Sequence, residues 1–189
     1  MPPHKPCADG PQAPQMECKL KRHTMFSAKT YAARRNMLRT KIGSGIILLP
    51  GNSLSPNNYP NNAYYFRQDS SFRYYFGLNT PSLAGLIDAD TGEEALYGDD
   101  FTVEDIIWTG PQPTLRELGA EVGVTATFPM AELEKRLRKA VSLGRKIHYL
   151  PPYRGETKLQ LSALLGIKPE LLHDYKSVEL MFAVAEMRE

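Results

Sequence analysis

Apolar and polar positions divide the chain into short segments of alternating kind. Residues 28–41, with Tyr31, Arg34, Arg35 and Leu38 along them, predict a helix. Ser27 supplies its N-cap, and Phe26 stands at the N′ position of a hydrophobic staple. Gly43 and Gly45 break it, and the apolar run GIILLPG predicts a buried strand at 45–50. NSLSPNNYPNN, residues 52–62, is a long loop rich in Asn and Pro. Tyr64–Phe66 reads as a short strand. Asp69 or Ser70 then caps a short helix through Tyr75, with Gly77 at its C′ position.

SLAGLIDAD and EEALYGD flank Thr91-Gly92 as a hairpin. Thr102 caps a short helix to Trp108, and Thr114 caps another to Ala120. Residues 124–128 and 147–151 are short strands on either side of an amphipathic helix that starts at Pro129 and is ended by Gly144. Residues 157–165, 168–173 and 177–189 are helix formers. Strands alternate with helices, and the hairpin makes the sheet mixed, so the expected fold is α/β with helices on both faces.

Composition changes this picture little. A chain of 189 residues, 42% hydrophobic, buries one sizeable core. The net charge of +2 comes from the first 24 residues, which hold four basic and two acidic residues; the remainder is neutral. That leaves no electrostatic footprint for nucleic acid. No apolar run is long enough for a membrane helix, and the N-terminus lacks the apolar stretch of a secretory signal. Residues 1–24, with five prolines, read as a flexible arm or an added extension. Both cysteines, Cys7 and Cys18, lie there, and their spacing forms no tight zinc pair with His4 or His23. A chain without a disulfide framework is expected in the cytoplasm.

No self-contained catalytic constellation follows. His148 reads as a surface or half-buried strand residue. GSG precedes a strand instead of following one, which is the wrong order for a dinucleotide fingerprint. DADTGEE lacks the calcium-loop pattern, and Ser70-Ser71 lack a nucleophile elbow. Arg67, between two aromatic clusters, needs solvent or a partner, and Asp69 is a candidate for a structural Arg67–Asp69 knot. Trp108, the only tryptophan, either packs in the core or anchors a partner.

The order of blocks is specific nonetheless. MFSAKTYAARRNML, GIILLPGN, YYFRQDSSFRYYFGLNTP, GLIDADTGEEALYGDD and DIIWTG together resemble the N-terminal domain of aminopeptidase P, in the creatinase/prolidase family. The resemblance runs from about Phe26 to the end. It implies a mixed sheet of about six strands, ribonuclease H-like, over residues 25–176. Residues 177–189 would start the link to a catalytic "pita-bread" domain, which in the family holds two Mn-type metals on aspartates, a histidine and glutamates. The chain itself supplies no such ligand set, so the resemblance implies a non-catalytic domain, inactive alone, of an Xaa-Pro aminopeptidase. Its partners would be its own catalytic domain, further copies in a dimer or tetramer, and proline-containing peptides. Trp108 would reach a neighbouring subunit's substrate pocket, and Asn61 and Asn62 would lie in a loop toward the active-site mouth. A prolidase- or creatinase-type hydrolase and a peptide- or histone-binding relative are the other members this resemblance admits.

Overall fold

The structure, a computed structural model, describes residues 24–59 and 62–188. The expected arm, with Cys7, Cys18, His4 and His23, lies outside them apart from Thr24. The chain runs α1 (Ala28–Ile42), β1 (Ile46–Pro50), α2 (Ser70–Phe76), β2 (Ala84–Asp88), β3 (Glu94–Tyr97) and α3 (Val103–Thr109). It continues through α4 (Leu115–Glu121), β4 (Ala126–Phe128), α5 (Met130–Ser142), β5 (Ile147–His148), α6 (Gly155–Leu165) and α7 (Val178–Glu186).

The strands form one mixed sheet in the order β4-β3-β2-β1-β5. The centre is antiparallel, with Leu48 opposite Leu86 and Leu86 opposite Ala95. Both edges are parallel: Ile47 is level with His148, and Leu96 with Thr127. Five strands stand among the described residues where about six were expected. The missing one is Tyr64–Phe66. Its segment makes no ladder, and only an isolated bridge between Pro56 and Ala63 closes the loop before it. The Arg67 carbonyl oxygen accepts from the Asn52 side chain instead of a strand neighbour. Residues 168–173 form successive turns around Pro169, not a helix.

The period-2 pattern of β1 sends side chains into two cores. Ile47 and Leu49 join Ile87, Leu96 and residues of α1, α2, α4 and α7. Ile46 and Leu48 join Leu86, Tyr97 and residues of α5 and α6. Helices therefore cover both faces, as the alternation of elements requires. α3 alone buries none of its residues.

Local signals set the helix ends. Ser27, Asp69, Thr102, Thr114 and Ser177 each accept a backbone N–H through the side chain at an N-terminus. Phe26 meets Tyr31 edge-on with ring centroids 6.1 Å apart, the expected staple. Gly77 ends α2 with φ 71°, and a Cβ there would stand 2.2 Å from the Tyr31 ring.

Two arginine clamps tie elements together. Arg35, fully buried, donates from Nε to Glu94 at 2.7 Å and from its two terminal nitrogens to the carbonyl oxygens of Tyr75 and Val122, both at 3.0 Å. One side chain thus joins α1 to β3, α2 and the end of α4. At the hairpin, Arg145 donates to both oxygens of Asp88, at 2.9 and 2.6 Å, and to Asp90. Arg136 holds Glu93 through two bonds of 2.7 and 2.8 Å. Asp88 also accepts the N–H groups of Asp90 and Thr91, so DADTGEE is a charged turn.

Candidate functional site

The region from Gly51 to Asp69 is organised by Gln68. Its Oε1 accepts from the N–H of Asn52 at 2.7 Å and of Asp69 at 2.9 Å. Its Nε2 donates to the Thr80 carbonyl oxygen at 2.8 Å. The buried amide therefore fastens the loop start, the α2 cap and the approach to β2 at one point. The expected Arg67–Asp69 knot is not formed. Arg67 is exposed and makes no ion pair with Asp69. Asp69 spends Oδ1 on the N–H groups of Ser71 and Phe72, and its Oδ2 accepts from Tyr153 at 3.2 Å. Capping two orphan amides satisfies the carboxylate locally, and the side chain at 67 is left to solvent. Asn52 joins the same group, donating to the Arg67 carbonyl oxygen at 2.9 Å and to Tyr153 at 3.3 Å.

The loop beyond is folded on itself. Asn62 Nδ2 donates to Asn58 Oδ1 at 2.7 Å, and the Asn57 N–H donates to the Asn62 carbonyl oxygen at 2.7 Å. Asn62 thus closes a turn; Asn61 lies outside the described residues. Ser55 is held by Glu156 and Arg154 at the start of α6. Tyr59, Tyr64, Tyr65 and Tyr153 are exposed around this surface.

The second part of the site is α3. A reciprocal capping box starts it: Thr102 Oγ1 accepts the Asp105 N–H at 3.2 Å, and Asp105 Oδ2 accepts the Thr102 N–H at 2.9 Å. The bonds from Thr102 hold the Asp105 carboxyl below the usual carboxylate range. Gly110, with φ 77°, ends the helix. Asp100 accepts the Leu115 N–H at 2.6 Å and Asp99 the Met130 N–H at 3.1 Å, which fixes the base from which α3 projects. Val103, Ile107 and Trp108 are exposed, the indole at 83%. A cleft of about 360 Å³, lined by Leu54, Thr80, Phe101, Asp105, Leu115 and Leu118, joins the loop to the base of α3.

His148 departs from its expectation. It is buried, because β5 lies between β1 and the start of α7, and neither neighbour is visible in its local sequence. Among the described residues no group of three or more His, Cys, Asp or Glu side chains is placed to hold a metal ion. The hairpin acids Asp88, Asp90 and Glu93 are engaged by Arg136 and Arg145. No described helix is long and apolar enough to cross a membrane.

A capped helix with no buried residue thus stands beside a pinned loop on an α/β scaffold. Residues 31–149 match the family model described as "Aminopeptidase P, N-terminal domain". The chain belongs to that family. Among solved structures it is similar to the low-pH form of Escherichia coli aminopeptidase P, at 18% identity and TM-score 0.63, covering 76% of this chain and 33% of that one. It is similar also to zinc-substituted E. coli aminopeptidase P in complex with product, at 17% identity, TM-score 0.63 and coverage of 80% and 35%. The Pseudomonas aeruginosa aminopeptidase PepP matches at 20% identity, TM-score 0.64 and the same coverage. At these identities the likeness shows the fold, and the chain spans about a third of the length of the structures it matches. No curated protein matches the sequence.

Proposed function

We propose that this chain serves as the non-catalytic N-terminal domain of a cytoplasmic, metal-dependent Xaa-Pro aminopeptidase, and that it acts through assembly and through shaping the mouth of the active site. In this reading Trp108 is donated to a neighbouring subunit, where it contacts the residues of a peptide substrate after the scissile bond. One observation carries it: in a member of this family, the only tryptophan stands 83% exposed near the end of a helix none of whose residues is buried. An indole left in water adds little to the fold, and it is the side chain most enriched where partners bind. The capping box and the Asp99 and Asp100 anchors hold it in place before any partner arrives, which lowers the ordering cost of binding. A symmetric assembly makes such a donation reciprocal. Two Mn-type metals would belong to the catalytic part of such an enzyme; among the described residues of this chain no group of three or more His, Cys, Asp or Glu could hold one.

The test is Trp108→Ala. In this chain alone the melting temperature is expected to stay within about 2 °C. In the assembled enzyme that carries the domain, kcat/KM on longer proline peptides is expected to fall about ten- to thirtyfold, with dipeptides little affected. Equal losses on both substrates would remove Trp108 from the substrate's far side.

A further inference from the structure

His148 is the buried histidine among the described residues, and beside it two acceptors lie within reach of one hydroxyl proton. Its imidazole fits under Gly45, where a Cβ would come within 3.0 Å of Nε2. Nε2 lies 3.1 Å from the Ser44 carbonyl oxygen. A carbonyl only accepts, so Nε2 carries a hydrogen in either charge state. Nδ1 lies 2.7 Å from Ser177 Oγ. That oxygen is the N-cap of α7: it accepts the Leu180 N–H at 3.2 Å and lies 3.0 Å from Glu179 Oε2.

With a neutral imidazole, Nδ1 and the Glu179 carboxylate both accept, and they compete for the single hydroxyl proton of Ser177. With an imidazolium the count closes. Nδ1–H donates to Oγ, Oγ–H donates to Glu179, and the Leu180 N–H keeps its acceptor. Three charged groups face the ring. Lys146 donates from Nζ to Glu179 Oε1 at 2.7 Å and opposes a charge on the imidazole; Glu179 and Asp90 favour one.

We propose that His148, Ser177 and Glu179 form a pH-responsive latch between β5 and α7, in which protonation of Nδ1 reverses the His148–Ser177 hydrogen bond and turns the Ser177 hydroxyl to Glu179. One proton is taken from solvent and stays on Nδ1; no covalent bond between heavy atoms changes. α7 remains docked in both states through the His148–Ser177 bond; the bond gained in the acid state, from Ser177 to Glu179, lies within α7 itself. Burial first, then Lys146, hold the imidazole below its ordinary range. The unfolded chain therefore takes up the proton first. The stability contributed by the neutral ring is whole above about pH 6.5 and is lost as pH falls toward the lower folded value. The relay narrows that window by giving the charged ring a route to Glu179.

The chain labelled with ¹⁵N-histidine, followed by long-range ¹H–¹⁵N spectra across pH, tests this. The neutral ring is expected as the Nε2–H tautomer. Glu179→Gln keeps the Ser177 cap and is expected to lower the His148 titration by about one pH unit, the scale of a hydrogen bond to a charged group. Lys146→Gln is expected to raise it. In a Ser177→Ala background the Glu179→Gln shift is expected to shrink, since the carboxylate then acts only through space. An Nδ1–H tautomer, an unmoved titration in Glu179→Gln, or a shift of equal size with and without the hydroxyl would overturn the latch. The tautomer and the Glu179→Gln titration decide the matter even if Ser177→Ala fails to fold.

Discussion

At the scale of single residues, the polar side chains that hold this domain together are those that fasten several backbone groups at once. Gln68 is buried and serves the amides of Asn52 and Asp69 and the carbonyl oxygen of Thr80. Its neighbour Arg67 is exposed. Gln68→Ala strands buried amide and carbonyl groups and is expected to cost about 1–3 kcal/mol, whereas Arg67→Ala is expected to stay within about 0.5 kcal/mol. Paired urea titrations check the ranking, and an equal loss in both would contradict it. The sequence led to the wrong member of this pair. An arginine between aromatic clusters attracts notice because a charge must go somewhere. A glutamine gives no such signal, since its value depends on Thr80 and Asn52 arriving from either side. His148 was misjudged for the same reason: Ser44 and Ser177, which surround it, are remote in the chain. Trp108 was legible as an unusual residue, but local sequence left it between core and surface.

At the scale of elements, the signals that worked are those that act within a turn or two. The caps at Ser27, Thr102 and Thr114 fall where the sequence places them, and Asp69 is the one of its two candidates that caps α2, because a side-chain oxygen and an amide two or three residues on need no tertiary partner. The Tyr64–Phe66 strand failed because aromatic composition alone cannot make a ladder without a neighbour to pair with. The hairpin shows how a local turn gains long-range support. Asp88 is almost fully buried, which alone would raise its pKa; bonds from Arg145 and Thr91 outweigh that and hold it at about 2. A carboxyl with a depressed folded pKa stabilises the fold above its unfolded value near 4 and loses that contribution as pH falls toward about 2. The loss is expected to be about 2–3 kcal/mol and to be absent in Asp88→Asn, whose stability should vary less between pH 5 and pH 2. Chemical denaturation at the two pH values measures it. An unchanged acid dependence in Asp88→Asn would assign the effect to other carboxylates.

At the scale of the whole molecule, the α/β class and the two-faced packing were legible because alternating element types allow few other layer arrangements. The order of the strands was not, since it is set by contacts between distant segments. That order also has a temporal meaning. The central β2–β3 pair closes across a short turn, and β1 adds to it through a single intervening helix. The edge strand β5 pairs with β1 only after about 100 residues of chain have been brought round, and each doubling of a closed loop adds about 0.6 kcal/mol of entropy cost. A two-residue strand returns little for that cost, so the centre is expected to be the nucleus and β5 the last piece to dock and the first to leave. Ile87→Val, in the centre, should then slow folding, while Ile147→Val, at the edge, should leave the folding rate alone and speed unfolding. Stopped-flow folding and unfolding arms in urea separate the two, and a slowed folding arm for Ile147→Val would put the edge in the nucleus. The same segment that seats His148 would on this account be where the native chain most readily begins to come apart.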